Sequence, residues 1–472
     1  MENFGDYSVW GIFNLIAVLL LSLLLAYTLK RSVRFLRASL IPASVLGGVI
    51  LLIVAGIYRL LSGNNLFDTP FFGDAGTVRL EIITYHTLAM GFIATAFKSI
   101  HKKLNKKRLS EIFNTGVTTV STYILQGIFG LTITIIAALV IPGFFQASGA
   151  LLPFGYGQGT GQALNFGSIY ENDYGFVGGR SFGLTIAALG FISACLGGVI
   201  YLNILKRRGR IPFQTGEEKV IRSEEIQGSN EVPMQKSMDK ITIQVAFVAG
   251  AYFITYLLMT LLGRLVPSMR SVIFGFNFLL GVIVATLMKL LLNKLKKKRV
   301  IKKDYLNSFL LTRISNFFYD MMVIAGIAAI RLQVLKQYWS VLLVLAAAGL
   351  VITFLYNHVT AKLLFPDYMQ EQFLMMYGML TGTASTGIIL LRELDPSFST
   401  PASENMVYQN IPAILFGFPM MLLAPFAPKN PVLTLIILIP FFLVMNLILF
   451  RSRIFRKRSK NERESDPLYD RP

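Results

Sequence analysis

The sequence predicts an all-α polytopic membrane protein with two inverted five-helix repeats, a re-entrant hairpin in each repeat, and one extra C-terminal helix, eleven spans in all. Three features lead to this prediction: long uncharged stretches, clusters of positive charge between them, and two glycine-rich segments at matching positions. Hydrophobic residues make up 54% of the 472 and charged residues only 15%, whereas a soluble domain carries roughly 25% charge. This composition excludes a soluble enzyme and a nucleic-acid-binding protein, despite the formal net charge of +20.

Eleven apolar stretches approach the length of about 20 residues that a helix needs to cross a bilayer. The predicted spans are residues 8–29, 41–61, 80–97, 115–140, 181–203, 241–263, 271–291, 312–330, 338–361, 405–426 and 432–450. Lysine and arginine cluster in the loops at 30–37, 98–108, 206–210, 294–303 and 451–463. Cytoplasmic loops collect such residues, and eleven spans place every cluster on one side. We therefore expect a multi-pass protein of the inner (plasma) membrane with its N-terminus outside and its C-terminus cytoplasmic.

Two uncharged segments do not fit as complete spans. Residues 149–166 read GALLPFGYGQGTGQALNF, and residues 372–391 read QFLMMYGMLTGTASTGIILL. Counting either segment as a full crossing would place a basic cluster outside. We therefore expect re-entrant loops at about 149–168 and 372–392, which enter and leave by the same face and lie buried in protein or along a cavity.

The two loops match at a single offset along the chain, which places Gly159 on Gly382. The same offset places Ser181, which opens span 5, on Glu404, which opens span 10. Spans 1 and 6 run in opposite directions, so the repeat is inverted. The predicted organisation is a first repeat at 1–205, a cytoplasmic linker at 206–240, a second repeat at 241–427, and an extra helix with a basic tail at 428–472. Interrupted apolar segments at corresponding positions of inverted repeats point to the binding site of a secondary transporter.

An interrupted helix leaves free N–H groups, which carry partial positive charge and suit a carboxylate, and free C=O groups, which suit a dehydrated sodium ion. The predicted substrate contacts are Gly155, Gly157, Gln158, Gly159, Thr160, Gly161, Thr381, Gly382, Thr383, Ser385, Thr386 and Arg392. The predicted cation contacts are Thr160, Asn165, Ser385 and Asp320. The alternative explanation is that small residues line close helix contacts in the membrane without touching a ligand.

Asp320 lies near the middle of span 8, and His86 lies within span 3. A charge at membrane depth is costly and is a functional candidate by default. Asp320 has three candidate roles: a sodium ligand, a proton carrier, or a structural partner of His86 or Arg313. Arg392 either meets a substrate carboxylate or pairs with a neighbouring acid such as Asp395.

No catalytic constellation appears in the sequence. The motifs HExxH and GxSxG and zinc-spaced cysteine and histidine clusters are absent, and Cys195 is the one cysteine. We expect no enzyme activity, no transition metal and no cofactor, with sodium as the coupling ion.

Several motifs resemble those of the bacterial sodium/glutamate symporter family. Residues 157–161 (GQGTG) with 174–176 (YGF) are similar to its GHGTG…YGF region, residues 41–48 (IPASVLGG) to its IPxPVxGG segment, and residues 381–386 (TGTAST) to its second Gly/Thr-rich loop. The resemblance covers most of residues 30–426. Three residues depart from the family pattern, which are Gln158 in place of His, Ser385 in place of Pro, and Asp320 in place of an apolar residue. The charged central linker and span 11 are further departures.

The resemblance implies ten core spans, two re-entrant hairpins, a homodimer, and sodium-driven uptake of glutamate by an elevator-like movement. We therefore expect a secondary active transporter that imports a small carboxylate, with L-glutamate favoured, by sodium symport. One alternative is a proton- or sodium-coupled transporter of another organic anion, such as a di- or tricarboxylate. The other is a non-transporting membrane sensor or structural subunit. The expected partners are a small anionic substrate, sodium and the lipid bilayer, with no nucleic acid.

Overall fold

The computed structural model describes residues 4–38, 40–98, 105–209, 239–301, 303–333, 335–395 and 399–451. These residues are mostly helical, with no β-strand among them, and eleven of their helices are long and apolar enough to cross a membrane. The predicted all-α polytopic membrane protein is therefore confirmed. Outside the described residues lie most of the predicted linker, part of the second basic cluster, the tail from residue 452, and the side chain of Ser385.

The helices before the linker are α1 (Tyr7–Ser32), α2 (Arg34–Ala38), α3 (Ala43–Ser62), α4 (Gly76–Phe97), α5 (Lys106–Val140), α6 (Leu152–Gln158), α7 (Thr160–Tyr174) and α8 (Gly179–Arg207). Those after it are α9 (Lys240–Leu265), α10 (Arg270–Gly275), α11 (Asn277–Lys297), α12 (Ser308–Ala328), α13 (Trp339–Leu364), α14 (Met369–Thr381), α15 (Ala384–Arg392), α16 (Ala402–Tyr408), α17 (Asn410–Leu423) and α18 (Pro431–Leu449). Short 3-10 turns flank several of them, including Gln146–Leu151 before α6 and Ala424–Lys429 after α17.

Three predicted spans show the largest differences from the helices observed. Helix α5 begins at Lys106, well before the apolar stretch, because the Asn105 side chain caps its first turn by accepting from the Arg108 N–H at 2.8 Å. Span 7 is divided into α10 and α11 at Phe276, and span 10 into α16 and α17 at Gln409. Pro412 follows this last division, where it lacks the N–H that a continuous helix would need.

The helices form two bundles. The scaffold bundle comprises α1, α3, α4, α9, α11 and α12, with α4 and α12 packed along each other at its centre. The hairpin bundle comprises α5 to α8, α13 to α15, α17 and α18, with α5 and α8 as its most connected members. The two bundles meet mainly where α4 and α12 pack against α7. The broken helices described below belong to the hairpin bundle.

Candidate binding site at two helix breaks

The first break separates α6 from α7 at Gly159. Its backbone has φ 80° and ψ −170°, a region that is essentially restricted to glycine. All residues from Leu152 to Gly157 are buried, so protein encloses the backbone that leads to the break. The predicted glycine-rich loop is therefore two short helices joined at one residue.

The second break separates α14 from α15 at Gly382 and Thr383. Helix α14 ends at Thr381, and every residue from Gln372 to Thr381 is buried. Thr383 has an extended backbone, with φ −144° and ψ 174°, and α15 begins at the next residue. The two breaks therefore lie at Gly159 and at Gly382 and Thr383, residues that the sequence offset matches to each other.

The two breaks touch each other. A Cβ atom built on Gly159 would lie 3.1 Å from Cγ2 of Thr383 and 4.0 Å from the carbonyl oxygen of Gly382. The same position would lie 3.9 Å from Cε of Met322 on α12. The chain thus brings its two interrupted segments together beside the scaffold bundle.

Neither helix start at the breaks is capped by a side chain. Gly159 precedes α7 and Thr383 precedes α15, and neither makes a side-chain capping hydrogen bond. The first N–H groups of a helix have no partner within it, and they carry about half a positive charge in total. Two such helix starts at one place are therefore a candidate site for an anion.

Each of these helix starts also carries a buried polar side chain without a hydrogen-bond partner among the described residues. Gln162 is the third residue of α7, and both of its amide atoms are unpartnered; Thr386 is the third residue of α15, and its hydroxyl is unpartnered. Both side chains are fully buried. A buried unpaired polar group costs about 1–3 kcal/mol, so two of them at matching positions need an explanation.

Helix α5 contacts the carbonyl ends of both broken helices. The Tyr123 hydroxyl donates to the Gly157 carbonyl at 2.9 Å, and Nε2 of Gln126 donates to the Leu380 carbonyl at 2.9 Å. These two carbonyls are related by the same offset as the breaks. Gln126 and Tyr123 were not among the predicted site residues, although a buried amide in the middle of an apolar helix is a recognisable signal.

Several predicted contact residues have structural roles in the packing around the breaks. A Cβ on Gly155 would lie 2.5 Å from the Ile186 side chain, one on Gly161 would lie 2.7 Å from the Leu88 side chain, and one on Gly157 would overlap the Tyr123 ring. These glycines allow the helices to approach each other closely, which is the alternative explanation for small residues in the membrane.

The hydroxyls of two predicted threonine contacts are also engaged within the protein. The Thr160 hydroxyl donates to the Met322 carbonyl at 3.3 Å, and the Thr381 hydroxyl donates to the Tyr377 carbonyl at 2.6 Å. Thr160 therefore ties the start of α7 to the scaffold bundle, whereas the Thr381 bond stays within α14.

The predicted cation contacts Asp320 and Asn165 have partners in the scaffold bundle or next to it. Asp320 lies beside the Ser44 hydroxyl, about 200° around α12 from Met322, and so faces away from the breaks. Nδ2 of Asn165 donates to the Gly275 carbonyl at 3.0 Å. Nδ1 of His86, a predicted candidate partner of Asp320, lies 2.7 Å from the Tyr252 hydroxyl.

Arg392 is exposed and ends α15, about 12 Å along that helix from the break. Asp395 follows it and accepts hydrogen bonds from the backbone and hydroxyls of Ser399 and Thr400. Although partial burial raises the pKa of Asp395, these hydrogen bonds outweigh that effect and hold the pKa below its ordinary value. The structure therefore places Arg392 at the far end of α15, away from the anion site.

A buried ion cluster links the two bundles at one end of the molecule. Glu81 on α4 pairs with Arg180 at the start of α8 at 2.9 Å and with Arg331, just after α12, at 3.2 Å. The Arg331 N–H also donates to the Ser181 hydroxyl at 3.1 Å. Because its members are 99 and 250 residues apart, sequence reasoning had no signal with which to find this cluster.

A second ion cluster joins α5 of the hairpin bundle to α16. Arg108 on α5 pairs with Glu111 and, at 3.4 Å, with Glu404 on α16. The Tyr368 hydroxyl donates to Glu111 at 2.9 Å. Arg108 and Arg331 are related by the same offset as the breaks, and each lies beside the helix that follows the broken pair of the other half of the chain.

No protein-family model matches the chain, and no curated protein matches it significantly.

Proposed function

We propose that this chain is a secondary active transporter that imports a small carboxylate by sodium symport, with L-glutamate as the favoured substrate. One observation carries the proposal: two uncapped helix starts meet at Gly159 and Thr383, within a buried part of the membrane domain. This arrangement would hold the carboxylate without any cationic side chain. The resemblance to sodium/glutamate symporters, which rests on the motif residues, supports the same choice of substrate and a homodimer.

The order of the helices supports an inverted repeat. Before the linker the order is α1, α3, α4, α5, the broken pair α6/α7, and α8; after it the order is α9, α11, α12, α13, the broken pair α14/α15, and α16/α17. Each half has an odd number of crossings, so the second half starts on the opposite side. Helix α18 has no counterpart. Arg108 and Arg331, which belong to the two ion clusters, obey the same offset as the breaks.

The lengths of the broken helices support re-entry. The 3-10 turn at Gln146–Leu151 has 6 residues and α6 has 7, together as many as the 13 residues of α14. A helix of that length extends about 20 Å, whereas the hydrocarbon core is about 30 Å thick. Each segment would therefore reach the middle of the membrane and return, and the two would meet there from opposite faces.

The division into two bundles supports an elevator-like movement. Both breaks lie in the hairpin bundle, and its contact with the scaffold bundle is concentrated on α4 and α12. A limited interface of this kind would allow one bundle to slide along the other with the substrate enclosed. Sodium would bind at the carbonyl ends of α6 and α14, where Oε1 of Gln126 is a further oxygen without a partner among the described residues.

Transport in liposomes tests this function directly. The purified protein, reconstituted with an inward sodium gradient, should accumulate radiolabelled L-glutamate, and replacing sodium with potassium should abolish the accumulation. Accumulation of succinate or citrate instead would favour the organic-anion alternative. Specific binding without flux would favour the sensor. The absence of both binding and flux with all three acids would contradict the proposal.

The proposed orientation predicts the labelling of single cysteines. Two single-cysteine variants are made in a Cys195→Ala background. Asn64→Cys introduces the cysteine in the exposed turn after α3, and Lys298→Cys introduces it in the exposed turn after α11. A membrane-impermeant maleimide applied to intact cells should label the first variant fully and the second only after permeabilisation. The positive-inside rule gives this direction. The opposite labelling pattern would place the N-terminus in the cytoplasm.

A further inference from the structure

The unpartnered side chains at the two helix starts form an unusual pair. Of the described residues with buried unpartnered atoms, Gln162 is the only amide in which both polar atoms lack a partner. Thr386 occupies the equivalent third position of the other helix start. Its hydroxyl lies 2.8 Å from where a Cβ on Gly382 would be, so it sits against the second break. Native proteins keep few such groups without a reason.

The surroundings of the breaks are uncharged. Residues 149–170 and 372–391 contain no Asp, Glu, Lys, Arg or His, and the neighbouring helices contribute Tyr123, Leu88 and Met322. A bound anion would therefore be neutralised by backbone N–H groups alone. The remaining specificity must come from neutral side chains that can both donate and accept hydrogen bonds, and an amide and a hydroxyl do both.

We propose that Gln162 and Thr386 bind the substrate directly, and that the substrate is a small carboxylate with a second hydrogen-bonding group, either an amino group or another carboxylate. The assignment rests on the proposed function. The carboxylate would lie at the helix starts, and the second group would be reached by the amide from one broken pair and the hydroxyl from the other. Binding would then satisfy the two side chains that have no hydrogen-bond partner among the described residues.

This assignment predicts opposite effects on stability and on binding. Gln162→Leu and Thr386→Val remove an unpaired polar group with little change in size, so the ligand-free proteins should melt at the same temperature as the wild type or higher. The apparent affinity should fall about tenfold for each variant, as the loss of one or two hydrogen bonds requires. The measurement is thermal unfolding of the full-length protein in detergent with sodium chloride, titrated with L-glutamate, succinate or citrate.

Two matched controls separate this role from a structural one. Nε2 of Gln244 donates to the Tyr305 carbonyl at 2.8 Å and its Oε1 accepts from the Asn307 N–H at 3.1 Å, so Gln244→Leu should lower the melting temperature and leave the affinity unchanged. The Thr84 hydroxyl donates to the Leu80 carbonyl at 2.9 Å, and Thr84→Val should likewise leave the affinity unchanged.

The possible outcomes are distinct. If the wild type responds to one of the three acids and both variants respond equally well, the assignment of Gln162 and Thr386 is overturned while the proposed function stands. The assignment is also overturned if both variants melt at a lower temperature without a loss of affinity, which is the result expected of the control Gln244→Leu. A wild type that responds to none of the acids overturns the assignment together with the proposed function.

Discussion

Gly159→Ala should reduce transport and ligand binding by at least about 100-fold while leaving the helix content intact. The added methyl group meets two obstacles at once. The φ of 80° with ψ −170° costs a residue with a Cβ about 1–3 kcal/mol, and the Cβ would lie 3.1 Å from Cγ2 of Thr383. Relaxation of either strain moves the start of α7, and with it the N–H groups aimed at the anion.

Two other glycines provide controls for Gly159→Ala. Gly175 has a positive φ of 71° but nothing near its Cβ position, so Gly175→Ala measures backbone strain alone. Gly250 lies within α9 with open space around it, and Gly250→Ala should be neutral or slightly stabilising. The comparison uses the flux of each variant in liposomes and its helix content by circular dichroism. Wild-type flux in Gly159→Ala would show that the geometry of this break does not shape the site.

The sequence alone was sufficient for the helices and for the position of both breaks. The long apolar stretches, the distribution of Lys and Arg, and the Gly159/Gly382 offset are properties of the sequence itself and require no knowledge of packing. The contact between the breaks needed the structure, because it depends on how distant helices pack. The same holds for Gln162 and Thr386: many polar residues lie in the loops, and only tertiary structure reveals which of them are buried without a partner.

The sequence was least informative about long-range polar contacts. Asp320 stood out as a charge in an apolar span, but its neighbour is Ser44 on the far side of α12. Arg392 was attractive because it closes the second loop, yet the length of α15 carries it away from the break. Glu81 lies near the start of a predicted span, where a carboxylate is unremarkable, until folding brings two arginines to it. Composition identifies a charge, whereas only packing supplies its partner.

Glu81→Gln should destabilise the protein by about 3 kcal/mol, the lower end of the range for breaking a buried ion pair, because its arginine partners are partly exposed. The Glu81 side chain is only 8% exposed and neutralises both Arg180 and Arg331. The amide keeps the size but leaves two guanidinium groups without the carboxylate that they share. Since Glu81 belongs to the scaffold bundle and Arg180 to the hairpin bundle, the loss also weakens the attachment of one bundle to the other.

The pair between Lys107 and Asp367 is the natural control for Glu81→Gln. Its side chains are 71% and 66% exposed, and solvent screens such exposed pairs so that they contribute little to stability, so Asp367→Asn should scarcely change the melting temperature. Equal melting temperatures for Glu81→Gln and the wild type would mean that this cluster does not hold the bundles together. Restoration of stability by combining Glu81→Gln with Arg331→Gln would show instead that an uncompensated positive charge, rather than a lost hydrogen bond, causes the defect.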